Sequence, residues 1–124
     1  MRSALILQDN PALARGFEVF LRSDGFACDM AETGEQAVEQ ARASRYDIML
    51  IADSVPGAAG FDVIRAIRAA GRIEPIIFVS TNCDMWADPA REAGADDLLP
   101  LPVTGEMVRA CVRTWVLQRE ARVQ

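Results

Sequence analysis

Short apolar runs alternate with amphipathic stretches along the whole chain. Ser3 to Gln8 (SALILQ), Phe26 to Met30 (FACDM), Tyr46 to Ala52, Ile76 to Val79 and Asp97 to Leu99 are each bounded by turn residues and too short for helices, so they read as strands. Between them the apolar positions fall at helical spacing. Leu13, Phe17, Phe20 and Leu21 form one stripe behind Asn10-Pro11, a capping residue with proline at the first helical position. Thr33 to Gln36 (TGEQ) is a capping box opening a helix to about Ser44, with Ala37, Val38 and Ala41 inward. Gly60 to Ala70 carries Phe61, Val63, Ile64 and Ile67. A weaker pattern from about Asp84 to Ala93 contains Pro89, which predicts a shortened or bent helix. Thr104 caps a last helix carrying Val108, Cys111, Val112 and Trp115, charged toward its end at Arg119, Glu120 and Arg122. Five strands alternating with five helices through short turns predict one α/β domain, residues 1–124, around a parallel sheet.

The third strand stands out. Its apolar run, Ile48 to Ala52, stops at a carboxylate, Asp53, and a turn signal follows in Val55-Pro56-Gly57 before Gly60 opens the next helix. An unbroken apolar run suits a strand covered on both faces, and its carboxyl end opens where such sheets place ligands.

Composition narrows the chemistry available there. The 124 residues carry a net charge of −5, which excludes a general nucleic-acid binder, because neutralising phosphates needs a basic surplus. No apolar run approaches the roughly 20 residues of a membrane span. Gln8 and Asp9 interrupt the first apolar run before any leader-type cleavage site, so a cytoplasmic location is expected. Cys28, Cys83 and Cys111 lack metal-site spacing and read as reduced, buried thiols. The chain has no His, and all 13 basic residues are Arg. No imidazole base and no compact lysine ammonium is available to any site.

The run D47-x5-D53-x2-PG-x2-G60, with Asn10-Pro11 after the first strand, Ser80-Thr81 after the fourth and Gly94-Ala-Asp-Asp97 before the fifth, resembles a response-regulator receiver domain of the CheY-like family. The resemblance covers nearly the whole chain. It implies a flavodoxin-like, doubly wound five-stranded parallel sheet of order 2-1-3-4-5 with five helices. It also implies self-phosphorylation of an aspartate ending the third strand. An acidic pair after the first strand would hold Mg²⁺, a hydroxyl after the fourth would sense the phosphoryl group, and a lysine after the fifth would pair with it.

Carried over position by position, the scaffold matches and the reactive parts mostly do not. The acidic pair falls on Gln8 and Asp9. Counting from Asp47, Pro56 and Gly60 places the acceptor at residue 52 each time, and residue 52 is Ala. The hydroxyl is Ser80, the lysine position is Leu101, and the aromatic switch position is Leu98. Ala52 supplies neither nucleophile nor metal ligand. The resemblance, so qualified, points to a pseudo-receiver: an atypical two-component signalling domain without enzymatic activity or cofactor, acting by protein–protein interaction. The fourth helix, fifth strand and fifth helix, with Trp86, Leu98 and Trp115, are its candidate interaction face, for self-association or a signalling partner.

Two alternatives remain. Asp53, one residue past the expected acceptor, points to the opposite face of a regular strand, but a bulge would re-aim it, making it the phosphorylated residue with Mg²⁺ held by Asp9 and Asp53. The simpler expectation is a solvated or turn-capping carboxylate at Asp53, a backbone-capping one at Asp9, and a capping hydroxyl at Ser80. The second alternative is an anionic ligand such as a cyclic dinucleotide, held by Arg65, Arg68 and Arg72 on one helix or by Arg109 and Arg113 beside Trp115. The plainer expectation for both sets is an exposed, solvated face.

Overall fold

In a computed structural model of the chain, which describes residues 2–123, the strands β1 (Arg2–Leu7), β2 (Phe26–Ala31), β3 (Ile48–Ala52), β6 (Ile76–Ser80) and β7 (Asp97–Pro100) form one parallel sheet. Its order is β2-β1-β3-β6-β7. Two further strands, β4 (Ser54–Val55) and β5 (Ala58–Ala59), pair antiparallel as a separate hairpin. With that hairpin set aside, the order is the expected 2-1-3-4-5. The helices are α1 (Pro11–Ser23), α2 (Gly34–Ala43), α3 (Gly60–Ala69), α4 (Cys83–Ala93) and α5 (Gly105–Val123). The side chain of Arg122, part of the charged end read from the sequence, lies outside the described residues. Among the described residues no helix is long and apolar enough to cross a membrane.

Strand alternation divides the core into two layers. Leu5, Leu7, Met49, Ile51, Ile76 and Phe78 face α2, α3 and α4 through Ala37, Ala41, Val63, Ile64, Ile67 and Ala90. Ala4, Ile6, Ile48, Leu50, Ile77 and Val79 face α1 and α5 through Phe17, Leu21, Val108, Val112 and Val116. Burial of both faces explains why the strands read as unbroken apolar runs.

The caps behave largely as their residue types dictate. Asn10 accepts from the Ala12 and Leu13 amides, and Thr104 from that of Met107. Thr33 accepts from Gln36 N, but the Gln36 side chain reaches Glu32 N instead of Thr33 N, so the capping box closes one residue early.

Two expectations are corrected and one is extended. The third strand begins at Ile48; Tyr46 precedes it, buried, with its hydroxyl donating to Asp29 Oδ2 at 2.7 Å. Burial and that carboxylate push the Tyr46 phenol well above its ordinary range. The stretch around the Val55-Pro56-Gly57 turn signal adds two short strands, pairing Ser54–Val55 with Ala58–Ala59 as the β4–β5 hairpin. Finally, α4 starts at Cys83 and runs unbroken through Pro89. The bond Pro89 cannot make would go to the carbonyl of Met85, an exposed residue that water can serve.

Candidate functional site

The carboxyl ends of β1, β3 and β6 converge with the segment after β7, so the positions singled out in the sequence do share one end of the sheet. At the end of β1, Gln8 is buried, and its side-chain oxygen accepts the Asn10 amide at 3.2 Å. Asp9 is exposed and accepts no hydrogen bond from the described residues. The backbone-capping role expected of Asp9 therefore falls to Gln8, whose side chain turns inward and reaches the next turn.

Ala52 closes β3 and is 3% exposed. Its backbone is part of the turn geometry: a Cβ on Gly60 would run into the Ala52 carbonyl oxygen, so only glycine fits at residue 60. The Gly60 amide donates to Asp53 O at 2.7 Å, and Asp53 N donates to Val79 O at 3.0 Å. This pairing continues the strand by one residue and holds Asp53 at the mouth of the hairpin.

Asp53 is half-buried, so only partly solvated, and its side chain accepts from a hydroxyl and not from a turn amide. Ser80 Oγ donates to Asp53 Oδ2 at 2.7 Å and accepts the Asn82 amide at 2.9 Å. Ser80 itself is 1% exposed, so its hydroxyl is committed in both directions. It ties the end of β6 to β3 and to the turn before α4, and is not the cap of α4, which begins behind Asn82. Sequence spacing placed Asp53 and Ser80 at neighbouring strand ends, but their direct bond, across 27 residues, has no local signal.

Leu101, at the lysine position, is half-buried against the α1/α5 layer, and Leu98, at the switch position, against the α2/α3/α4 layer. Both are packing residues. Of the two tryptophans, Trp86 lies partly buried over Phe61, with ring centroids 5.5 Å apart, and Trp115 donates its indole N–H to Asp97 Oδ2 at 2.8 Å. Met85 and Met107 are exposed on α4 and α5.

The arginine rows are largely occupied. Arg68 donates to the carbonyls of Gly94, Arg72 and Glu74 and to Asp96 Oδ2. Arg72 donates to the carbonyls of Ala41 and Arg42, and Arg113 forks onto both oxygens of Asp24. Arg65 pairs with Asp62, and Arg109 lies 5.7 Å from the Phe20 ring centre. α3 thus presents no row of free guanidinium groups, and its face is not merely solvated either. Sequence reasoning missed the structural roles of Arg68 and Asp96; an arginine spaced like a surface residue gives no sign of carbonyls waiting on other elements.

A metal centre is poorly provided for. The positions assigned to it supply one exposed carboxylate (Asp9), one amide already engaged (Gln8) and a methyl group (Ala52), and the alternative ligand Asp53 already accepts from Ser80 through Oδ2. Mg²⁺ needs hard, anionic oxygen donors, and this set does not fit it. Among the described residues no three His, Cys, Asp or Glu side chains converge.

Comparison with known proteins bears on this geometry. The family model described as the response regulator receiver domain matches residues 4–113. The transcriptional regulatory protein AfsQ1 of Streptomyces coelicolor is 32% identical over 122 residues, 98% of this chain and 54% of the relative. The DNA-binding response regulator MtrA of Mycolicibacterium smegmatis is 32% identical over 94% of this chain and 51% of its own length. The chain spans about half the length of the curated relatives it matches. The receiver domain of the sensor histidine kinase PA1611 of Pseudomonas aeruginosa, solved with a magnesium ion in its active-site cleft, superposes with a TM-score of 0.86 at 30% identity, covering 93% of this chain and 97% of that one.

Proposed function

The chain belongs to the response-regulator receiver family, and from that premise we propose that it is a phosphorylation-independent member, a pseudo-receiver that signals by protein–protein contact and catalyses nothing. One observation carries the reading: the residue ending β3 where the family's acceptor is expected is Ala52, buried and without a nucleophile. The neighbouring carboxylate, Asp53, is held by Ser80. Phosphoryl transfer to a carboxylate needs an attacking oxygen, a cation to offset converging charge and a group to hold the product. Ala52, Gln8 and Leu101 lack all three. With no reactive pocket, signalling rests on surface contacts. The face of α4, β7 and α5 is the proposed surface, offering Trp86, Leu98 and Trp115 with exposed Met85 and Met107; aromatic residues and methionine are favoured at such interfaces. A cytoplasmic location follows from the same reading.

Phosphorylation on Asp53 is the rival, favoured by one contact, the Ser80 hydroxyl 2.7 Å from its carboxylate. A small phosphodonor with Mg²⁺, read by intact mass, separates the two. The expected outcome is no adduct, and self-association, read by sedimentation, unchanged by the donor but weakened by Trp86→Ala or Trp115→Ala. An adduct that disappears in Asp53→Asn overturns the reading; sedimentation and partner binding indifferent to both Trp variants remove the proposed face.

A further inference from the structure

The hairpin mouth contains a cavity of about 280 Å³ lined by Asp53, Ser54, Ala59, Phe61 and Trp86. Its construction is specific. Phe61 stacks on Phe78 at 5.1 Å on one side and meets Trp86 on the other, so both lining rings are fixed by packing. Asp53 uses only Oδ2 toward Ser80; Oδ1 accepts no hydrogen bond from the described residues. No ion pair among the described residues includes Asp53. A half-buried carboxylate with a free oxygen, next to aromatic faces, favours one ligand chemistry, a cation with apolar flanks.

Two larger hollows lack this. That between α2 and α3 mixes Glu35, Glu39 and Asp62 with Arg42. That at the start of α5 mixes Glu106 with Arg109 and Arg113, the second already forked onto Asp24. Both linings carry charges of the two signs, and neither includes an aromatic ring.

We propose that the Asp53–Phe61–Trp86 cavity receives the lysine or arginine side chain of a partner protein, its charged head on Asp53 and its methylene stem against the two rings. The inference rests on the reading that this chain works through a protein partner, and names the chemistry of one contact. The net charge of −5 draws a basic surface toward the molecule, and the cavity supplies a specific seat once it arrives. Among the described residues no guanidinium pairs with the cavity-lining carboxylate, which leaves that counter-charge to be supplied from outside.

Blocked tripeptides with central arginine, lysine, citrulline or norleucine, titrated into the ¹⁵N-labelled protein to about 10 mM, the weak end of single-side-chain recognition, test this. The two indole N–H signals are the reporters. The Trp86 signal should shift saturably with arginine and lysine peptides, while that of Trp115, committed to Asp97, stays in place and reports an intact fold. Asp53→Asn, which keeps the shape and removes the charge, should weaken binding about tenfold. Equal shifts with citrulline or norleucine, no shift with any peptide, or undiminished binding in Asp53→Asn each overturn the proposal. Those failures leave the phosphodonor result standing, since that assay reads the mass of the chain alone.

Discussion

The two edges of the sheet use charge in opposite ways. At the amino edge, carboxylates and guanidinium groups are engaged in structural bonds that link separate elements. Asp47 accepts Ser3 N at 2.8 Å, the 1% exposed Glu74 accepts the amides of Tyr46 and Ile73, and Asp96 accepts Ile76 N together with Arg68. Arg68 joins the end of α3 to the segments entering β6 and β7. At the carboxyl edge the polar chemistry thins to Gln8 on the Asn10 amide and the chain from Asp53 through Ser80 to Asn82. In a doubly wound sheet ligands enter at the carboxyl ends, so the amino edge is free to be a scaffold. This contrast between the edges is the physical content of the proposed pseudo-receiver reading.

Breaking the amino edge should cost most. Arg68→Ala strips donors from three carbonyls and leaves Asp96 without its cation, so a loss of about 2–4 kcal/mol is expected, read as a lower urea midpoint at constant slope. A loss under about 1 kcal/mol would mean that water replaces these bonds freely and the edge is not a hub. At the carboxyl edge Ser80→Ala should cost only about 1 kcal/mol, because one hydroxyl is lost and half-buried Asp53 can turn toward water. Asp53→Asn should be close to neutral, since an amide oxygen still accepts from Ser80. If either rivals Arg68→Ala, the asymmetry between the edges is wrong.

The smallest effects are in the thiols. Burial, with Asp97 adding to it, pushes Cys111 up to about 11, and Cys83 is raised by burial first, partly offset by a backbone hydrogen bond with Ser80, with Asp53 and Asp84 adding to the rise. Alkylation of Cys111 at pH 8 should therefore run about a hundredfold slower than that of a free thiol, since only the thiolate reacts. Cys83 should react somewhat faster in Asp53→Asn, with Cys111 unchanged. A raised thiol binds its proton more tightly folded than unfolded. The stability it contributes is full below pH 9 and is lost as pH rises from there to about 11. Indifference of Cys83 to residue 53 would separate the thiol from the cavity carboxylate.

Much of the fold is legible in the residue pattern. Strand and helix periodicity places ten elements to within a residue or two, because burial on both faces writes continuous apolar runs and burial on one writes helical stripes. The misjudged places each have a local cause. Pro89 reads as a breaker because local propensity cannot see that the orphaned carbonyl faces outward. Gln36 reads as closing its box on Thr33 because the alternative amide is only one residue away. The β4–β5 hairpin is two residues a side, too short for alternation to register.

What the sequence determined by itself was the order of elements and the identity of the residue ending β3. Position along the chain is one-dimensional information, and three flanking residues agreed on Ala52. What only the tertiary structure decided was which charges are free. Arg68 and Asp96, 28 residues apart, satisfy each other, as do Ser80 and Asp53, 27 apart, while Asp53 Oδ1 and the two lining rings are left open. Pairing through space depends on how crossovers bring strand ends together, and no periodicity or spacing within one segment records it.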